Sequence, residues 1–204
     1  MQQAKNGLIE LLFVDASHFV MGCAYLSSIY GLVRRFIRTG SGRKRYNVLG
    51  ALNFISKKLS TITNDSYITS TQVCELLKNL AVEYVGRPIY IILDNASYQK
   101  CILVKNMAAS LGINLVFIPS YSPNLNLIER FWKFTKSKLR TKYYIDFNEF
   151  RNRIDEITGS SDGAFKTEVD KLITEKVQLF DSPLNGKEKL TPIVCTQNFI
   201  GLAA

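Results

Sequence analysis

Ile89-Tyr90-Ile91-Ile92-Leu93-Asp94 is an apolar run that ends on an acid. No polar residue alternates within it, so it reads as a β-strand covered on both faces, as in a parallel sheet. On its N-terminal side, residues 70–84 place Val73, Leu76, Leu77, Leu80 and Val85 on one helical face. Ser70 or Thr71 can cap that helix, and Gly86 and Pro88 end it. On its C-terminal side, a helix over roughly 98–111 stops at Gly112, and residues 113–118 repeat the buried-strand pattern. A turn at Pro119, Ser122 and Pro123 then leads into a helix from about Asn124 to Tyr143.

The first third of the chain reads differently. Residues 8–15, Leu-Ile-Glu-Leu-Leu-Phe-Val-Asp, form a strand that ends on Asp15. Residues 18–37 suggest one or two further strands with a turn near Gly31, and residues 46–63 suggest a pair that turns near Ser56-Lys57-Lys58. Residues 38–45 form a basic loop between them. Two amphipathic helices follow the core at 147–157 and 164–180, and the tail from Ser182 is irregular. Antiparallel strands first, then helix–strand–helix–strand–helix, imply an α/β fold with a mixed central sheet flanked by helices. That order matches the ribonuclease H-like fold. The domain reading is a core over 1–145, helices over 146–181 that complete or extend it, and a tail over 182–204.

Bulk composition narrows the function classes. The chain has 204 residues and a net charge of +9, which favours polyanionic partners such as nucleic acid. The four cysteines, Cys23, Cys74, Cys101 and Cys195, are scattered with no CxxC pair, which argues against a zinc site or a disulfide scaffold and suits a reducing cytoplasm. No apolar run approaches the roughly 18 residues of a membrane span, and no secretory signal opens the chain.

The chemistry-bearing pattern is acidic. Asp15 and Asp94 end predicted strands, where ligands gather in open α/β sheets, and Glu129 falls early in the helix after the next strand. Carboxylates brought to one sheet edge repel one another unless a cation sits between them. Oxygen-only ligands select a hard ion, Mg²⁺ or Mn²⁺. At about 100° per residue, Glu129, Lys133, Lys136 and Arg140 share a stripe, opposite an apolar stripe of Ile128, Phe131, Trp132, Thr135 and Leu139. An acid followed by a basic track suits a phosphate backbone held against a metal, whereas an ordinary amphipathic helix with a Glu129–Lys133 pair explains the same spacing. Each acid taken singly is more often a cap or a solvated charge. Arg43, Lys44 and Arg45 in the basic loop are further candidates for DNA-backbone contact, beside the plain alternative of a solvated basic surface. Trp132 reads as core rather than as a base-stacking residue. His18 and Ser17 neighbour Asp15, but alternation along a strand argues against a Ser-His-Asp triad.

Tyr121-Ser122-Pro123-Asn124-Leu125-Asn126-Leu127-Ile128-Glu129-Arg130-Phe131-Trp132-Lys133 resembles the Y-S-P-x-L-N-P-I-E-x-x-W signature of DDE-superfamily transposases from bacterial insertion sequences, the mariner-related branch. Leu93-Asp94-Asn95-Ala96 resembles the family's second motif and Phe13-Val14-Asp15 the first, while Val48-Leu49-Gly50-Ala51-Leu52 is similar to its G-A-L element. Thirty-four residues separate Asp94 from Glu129, a spacing known in that superfamily. Leu127 and Ser120 stand where the family often has proline. The resemblance covers about residues 9–145.

It implies a metal-dependent DNA endonuclease and polynucleotidyl transferase. Asp15, Asp94 and Glu129 would be both catalytic residues and ligands of two Mg²⁺ ions, with Mn²⁺ able to substitute. Cleavage at transposon ends would be followed by strand transfer into target DNA. Asn95, Lys133, Lys136, Arg140, Arg43, Lys44 and Arg45 are the DNA-binding candidates. The implied partners are double-stranded DNA and a second copy of the chain, with no membrane and no small-molecule substrate, in a bacterial cytoplasm near the nucleoid. Such transposases usually carry N-terminal helix-turn-helix modules, and Asp15 follows Met1 too closely to leave room for them. The alternatives are an inactive or truncated copy that binds only DNA or a partner, and a ribonuclease H-like nuclease without strand transfer.

Overall fold

In the computed structural model, which describes residues 1–21, 44–119, 125–140, 142–159 and 165–173, the sheet is built outward from β1 (Glu10–Val20). β1 lies between two neighbours of opposite sense. β2 (Arg45–Asn53) runs antiparallel to it, and β4 (Ile89–Leu93) runs parallel. β3 (Leu59–Asn64) closes one edge against β2, and β5 (Ile113–Phe117) closes the other against β4. The order is β3-β2-β1-β4-β5, the mixed sheet expected from the order of elements.

Side chains alternate across each strand, so the sheet feeds two cores. Leu11, Phe13 and Phe19 of β1 join Val48 and Leu52 of β2 on one face. That face is covered by α4 (Ile128–Leu139), α5 (Phe147–Gly159) and α6 (Lys166–Leu172). Leu12 and Val14 join Leu49 and Ala51 on the other, under α2 (Ser70–Glu83) and α3 (Ile102–Ser110). A short α1 (Gln2–Lys5) precedes the sheet and adds Ala4 to the first core. At the start of β1, Glu10 is buried but fully engaged. It accepts from Asn53 Nδ2 at 2.8 Å and pairs with Arg87 at 2.6 Å.

Several boundaries differ from those expected. β1 does not stop at Asp15. Its parallel pairing with β4 ends at Phe13, but antiparallel pairing with β2 carries it on to Val20. The further strands and the turn near Gly31 lie outside the described residues, as do Arg43, Ser120 to Asn124 and the chain from 174 onward. Arg45 begins β2 rather than belonging to a loop. The cap of α2 is Thr69, in a capping box with Gln72, one residue before Ser70. Val85, past the helix end, is exposed, and Cys74 takes a buried place instead. The helix expected over 98–111 begins only at Ile102, after a turn. β5 is an edge strand with Asn114 and Val116 exposed, so it is not covered on both faces. α4 is shorter than the 124–143 span, yet its buried residues are Ile128, Phe131, Trp132, Thr135 and Leu139, the apolar stripe read from the sequence.

Phe131 is fully buried between β1 and the C-terminal helices. Phe131→Ala is expected to cost about 3–5 kcal/mol in denaturant unfolding. The exposed Val82→Ala on α2 should stay within about 0.5 kcal/mol of wild type.

Candidate active site

The parallel register between β1 and β4 decides where the acids meet. Phe13 lies opposite Ile92. The pairing stops there; two residues on, Asp15 continues β1 and Asp94 follows the end of β4, so both acids lie at the carboxyl end of this parallel pair. Phe13 and Ile92 both face the core under α4, and alternation gives Asp15 and Asp94 the same face. Glu129 stands in the first turn of α4, which packs on that face.

The close approach of α4 depends on Gly50. Gly50 is the cross-strand partner of Asp15, and a Cβ there would lie 2.8 Å from Trp132 Cη2 and 3.1 Å from Ile128 Cδ1. A glycine in this strand therefore lets the indole lie directly on the sheet beside Asp15. Asn126, almost fully buried, donates from Nδ2 to the Val14 carbonyl at 3.2 Å and ties the start of α4 to β1 one residue before Asp15. In the sequence Gly50 and Asn126 stand out only as motif letters with no task attached. Their task is packing, which one-dimensional spacing does not reveal.

A recess of about 260 Å³ opens between β1 and α4. Asp15, His18, Glu129, Trp132, Lys133 and Lys136 line it. Burial pushes the Asp15 carboxyl from its ordinary 3.8 up to about 7. The Ala16 N–H works against that rise, the charges of Asp94 and Glu129 add to it, and the Trp132 indole pulls it back. Glu129 is also raised, first by burial, with Lys133 opposing and Asp94 adding. Tyr98 is pushed up to about 12 by burial and then by the charges of Asp94 and Asp15. The three carboxylates are thus electrostatic neighbours. Among the described residues, however, no three His, Cys, Asp or Glu side chains gather closely enough to form a ready metal shell. Asp94 instead accepts from the Ala96 N–H at 3.2 Å. The donor set is all oxygen, which fits a hard divalent ion.

The other candidates divide. Lys136 lies at the recess and over the Phe19 ring, while Lys133 is exposed on the same helix. Arg140 is exposed at the far end of α4. Asn95 donates to the Ile118 carbonyl at 2.6 Å, so its amide clamps the ends of β4 and β5. Lys44 lies over Phe147 and Arg45 over Tyr67, away from the recess lining. His18 bonds Asn47 at 2.7 Å, and its pKa is lowered, chiefly by burial. No helix among the described residues is long and apolar enough to cross a membrane.

Comparison with known proteins points the same way. A family model described as DDE superfamily endonuclease matches residues 10–151. No curated protein matches the chain. Among solved structures, the chain is similar to one in a simian T-cell lymphotropic virus intasome in complex with PP2A regulatory subunit B56 gamma. The identity is 16%, the TM-score 0.53, and the match covers 92% of this chain and 60% of that one. It is also similar to the HTLV-2 integrase catalytic core domain in complex with magnesium, at 16% identity and a TM-score of 0.49, covering 75% of this chain and 85% of that one. At such identity the likeness is one of fold. This chain spans 60% of the length of the intasome protein.

The raised Asp15 pKa fixes a direction for stability. A carboxyl raised by folding takes up a proton on folding, so its contribution is full below the unfolded value and is lost as pH rises through about 7. Between about pH 4 and pH 7 the metal-free protein should lose melting temperature through this group. Asp15→Asn should flatten that loss and raise the melting temperature at the alkaline end. An unchanged slope in the variant would assign the pH dependence to other groups.

Proposed function

The chain belongs to the DDE superfamily endonucleases, and from that premise we propose that it is the catalytic domain of a DNA transposase. The reaction is divalent-metal-dependent cleavage of DNA at transposon ends followed by strand transfer into target DNA. The source is a bacterial insertion sequence of the mariner-related branch, and the protein works near the nucleoid as a homodimer. In this reading residues 1–145 are the catalytic core, and the segment over 146–181 completes or extends it.

The observation that supports this reading is that Asp15 and Asp94 lie at the carboxyl end of the β1–β4 pair, with Glu129 in the first turn of the helix packed beside them. These carboxylates would hold two Mg²⁺ ions, with Mn²⁺ as substitute. When bound, such ions supply positive charge to an in-line displacement at phosphorus. The chain's own residues prepare the place. Burial keeps a proton on Asp15 until about pH 7, so cation entry must displace a proton and affinity falls below that pH. Lys133 and Lys136 bring positive charge to the lip of the recess, where a phosphate backbone would lie. Trp132 forms its apolar wall and packs against Gly50 beside Ile128. Arg140, Asn95, Arg43, Lys44 and Arg45 are weaker DNA candidates, since Asn95 is spent on Ile118 and the cations at 44 and 45 stand over aromatic rings.

A second reading has one observation in its favour. The acids do not form a ready ligand shell among the described residues, as a copy that only binds DNA would allow. Cleavage assays on DNA carrying the element's ends separate the two. Asp15→Ala, Asp94→Ala and Glu129→Ala should each abolish Mg²⁺-dependent cleavage, and wild type should yield products joined into target DNA. Cleavage without joined products would indicate a nuclease alone, and a variant that keeps cleaving would remove that residue from the set. Neutralising Lys133, Lys136 and Arg140 together should weaken DNA binding and flatten its salt dependence by roughly one unit for each phosphate no longer neutralised. An unchanged slope would remove the basic track from the interface.

A further inference from the structure

Trp132 carries a polar group that neither the core nor the proposed chemistry uses. The residue is 3% exposed, and its Nε1–H is buried with no hydrogen-bond partner of good geometry. A buried indole N–H normally finds an acceptor. The ring cannot turn away to seek one. Gly50 lies close to its Cη2 and Cζ2 carbons, and Phe19 and Phe131 meet it edge-on at centroid separations of 6.2 Å and 5.6 Å. A core filler would need only the ring.

The acid that shares its recess beside Gly50 is Asp15. Asp15 is the cross-strand partner of the glycine that Trp132 covers, and both side chains line the same recess. We propose that Trp132 is a positioning residue: its indole N–H donates to one oxygen of the Asp15 carboxylate and turns the other toward the divalent cation. This rests on the reading of Asp15 as a metal ligand. Carboxylate ligands are ordinarily held by such outer hydrogen bonds, and losing one typically weakens metal binding by about tenfold or more. Gly50 is the second half of the device, since any side chain there would lift the indole off the sheet.

Trp132 is the single tryptophan of the chain, so its indole gives one N–H resonance in a ¹⁵N spectrum. Mg²⁺ binding to the full chain by calorimetry, for wild type and Trp132→Phe, is paired with the indole resonance of wild type and Asp15→Ala. The expected result has three parts. Trp132→Phe keeps a cooperative melt, binds Mg²⁺ about tenfold or more weakly, and Asp15→Ala moves the indole N–H upfield. Equal Mg²⁺ affinity in wild type and Trp132→Phe overturns the positioning role and leaves the metal reading standing. Absence of Mg²⁺ binding in wild type overturns the metal reading and this inference with it. Should Trp132→Phe fail to fold, an indole resonance unmoved by Asp15→Ala overturns the proposal.

Discussion

An ionised carboxylate taken out of water must find a compensating charge or keep its proton, and the two acids of β1 meet that constraint in opposite ways. Glu10, at the start of the strand, is buried against Arg87 and Asn53, and its charge is matched within the fold. Asp15, five residues on, has no ion pair among the described residues and lies near two further acids, so burial drives its pKa to about 7. A pair of this first kind holds a sheet end together. The second arrangement costs stability at neutral pH, a cost that a bound cation would relieve. On the proposed function, one strand therefore has a structural end and a reactive end.

Everything that shapes the reactive end follows from how α4 is seated. Its apolar stripe fixes its rotation, so that Glu129, Lys133 and Lys136 turn toward the recess as Ile128 and Trp132 turn inward. Gly50 sets its distance from the sheet, and the Asn126 amide sets its height along β1. Rigid elements with a locked packing are what a site needs when its charges must be held near one another before a ligand arrives. The endonuclease family match, which spans β1 through the first turns of α5, covers this assembly.

The sequence was most legible where pattern and packing coincide. The apolar run at 89–93, the stripe of α4 and the paired strands over 46–63 are read directly from periodicity, and the mixed sheet follows from their order. It was least legible where pairing decides. Nothing in Asp15-Ala16-Ser17 marks it as mid-strand, because the continuation to Val20 is dictated by β2 rather than by local composition. The edge position of β5 likewise follows from the absence of a sixth partner strand among the described residues, and not from its apolar sequence. At the site, the acids and the α4 cations are legible from placement and resemblance. The tasks of Gly50, Asn126 and Asn95 needed the third dimension, since a small residue or an amide can serve a turn, a cap or a clamp equally well in sequence.

On this account the acids at the reactive end form a cation site. The most direct test is calorimetric titration of the full chain with Mn²⁺, wild type against Asp94→Ala, which needs no knowledge of the DNA ends. Saturable binding is expected in wild type, with proton release below about pH 7, and no binding in the variant. Equal binding by both proteins, or none by either, would contradict a cation site there.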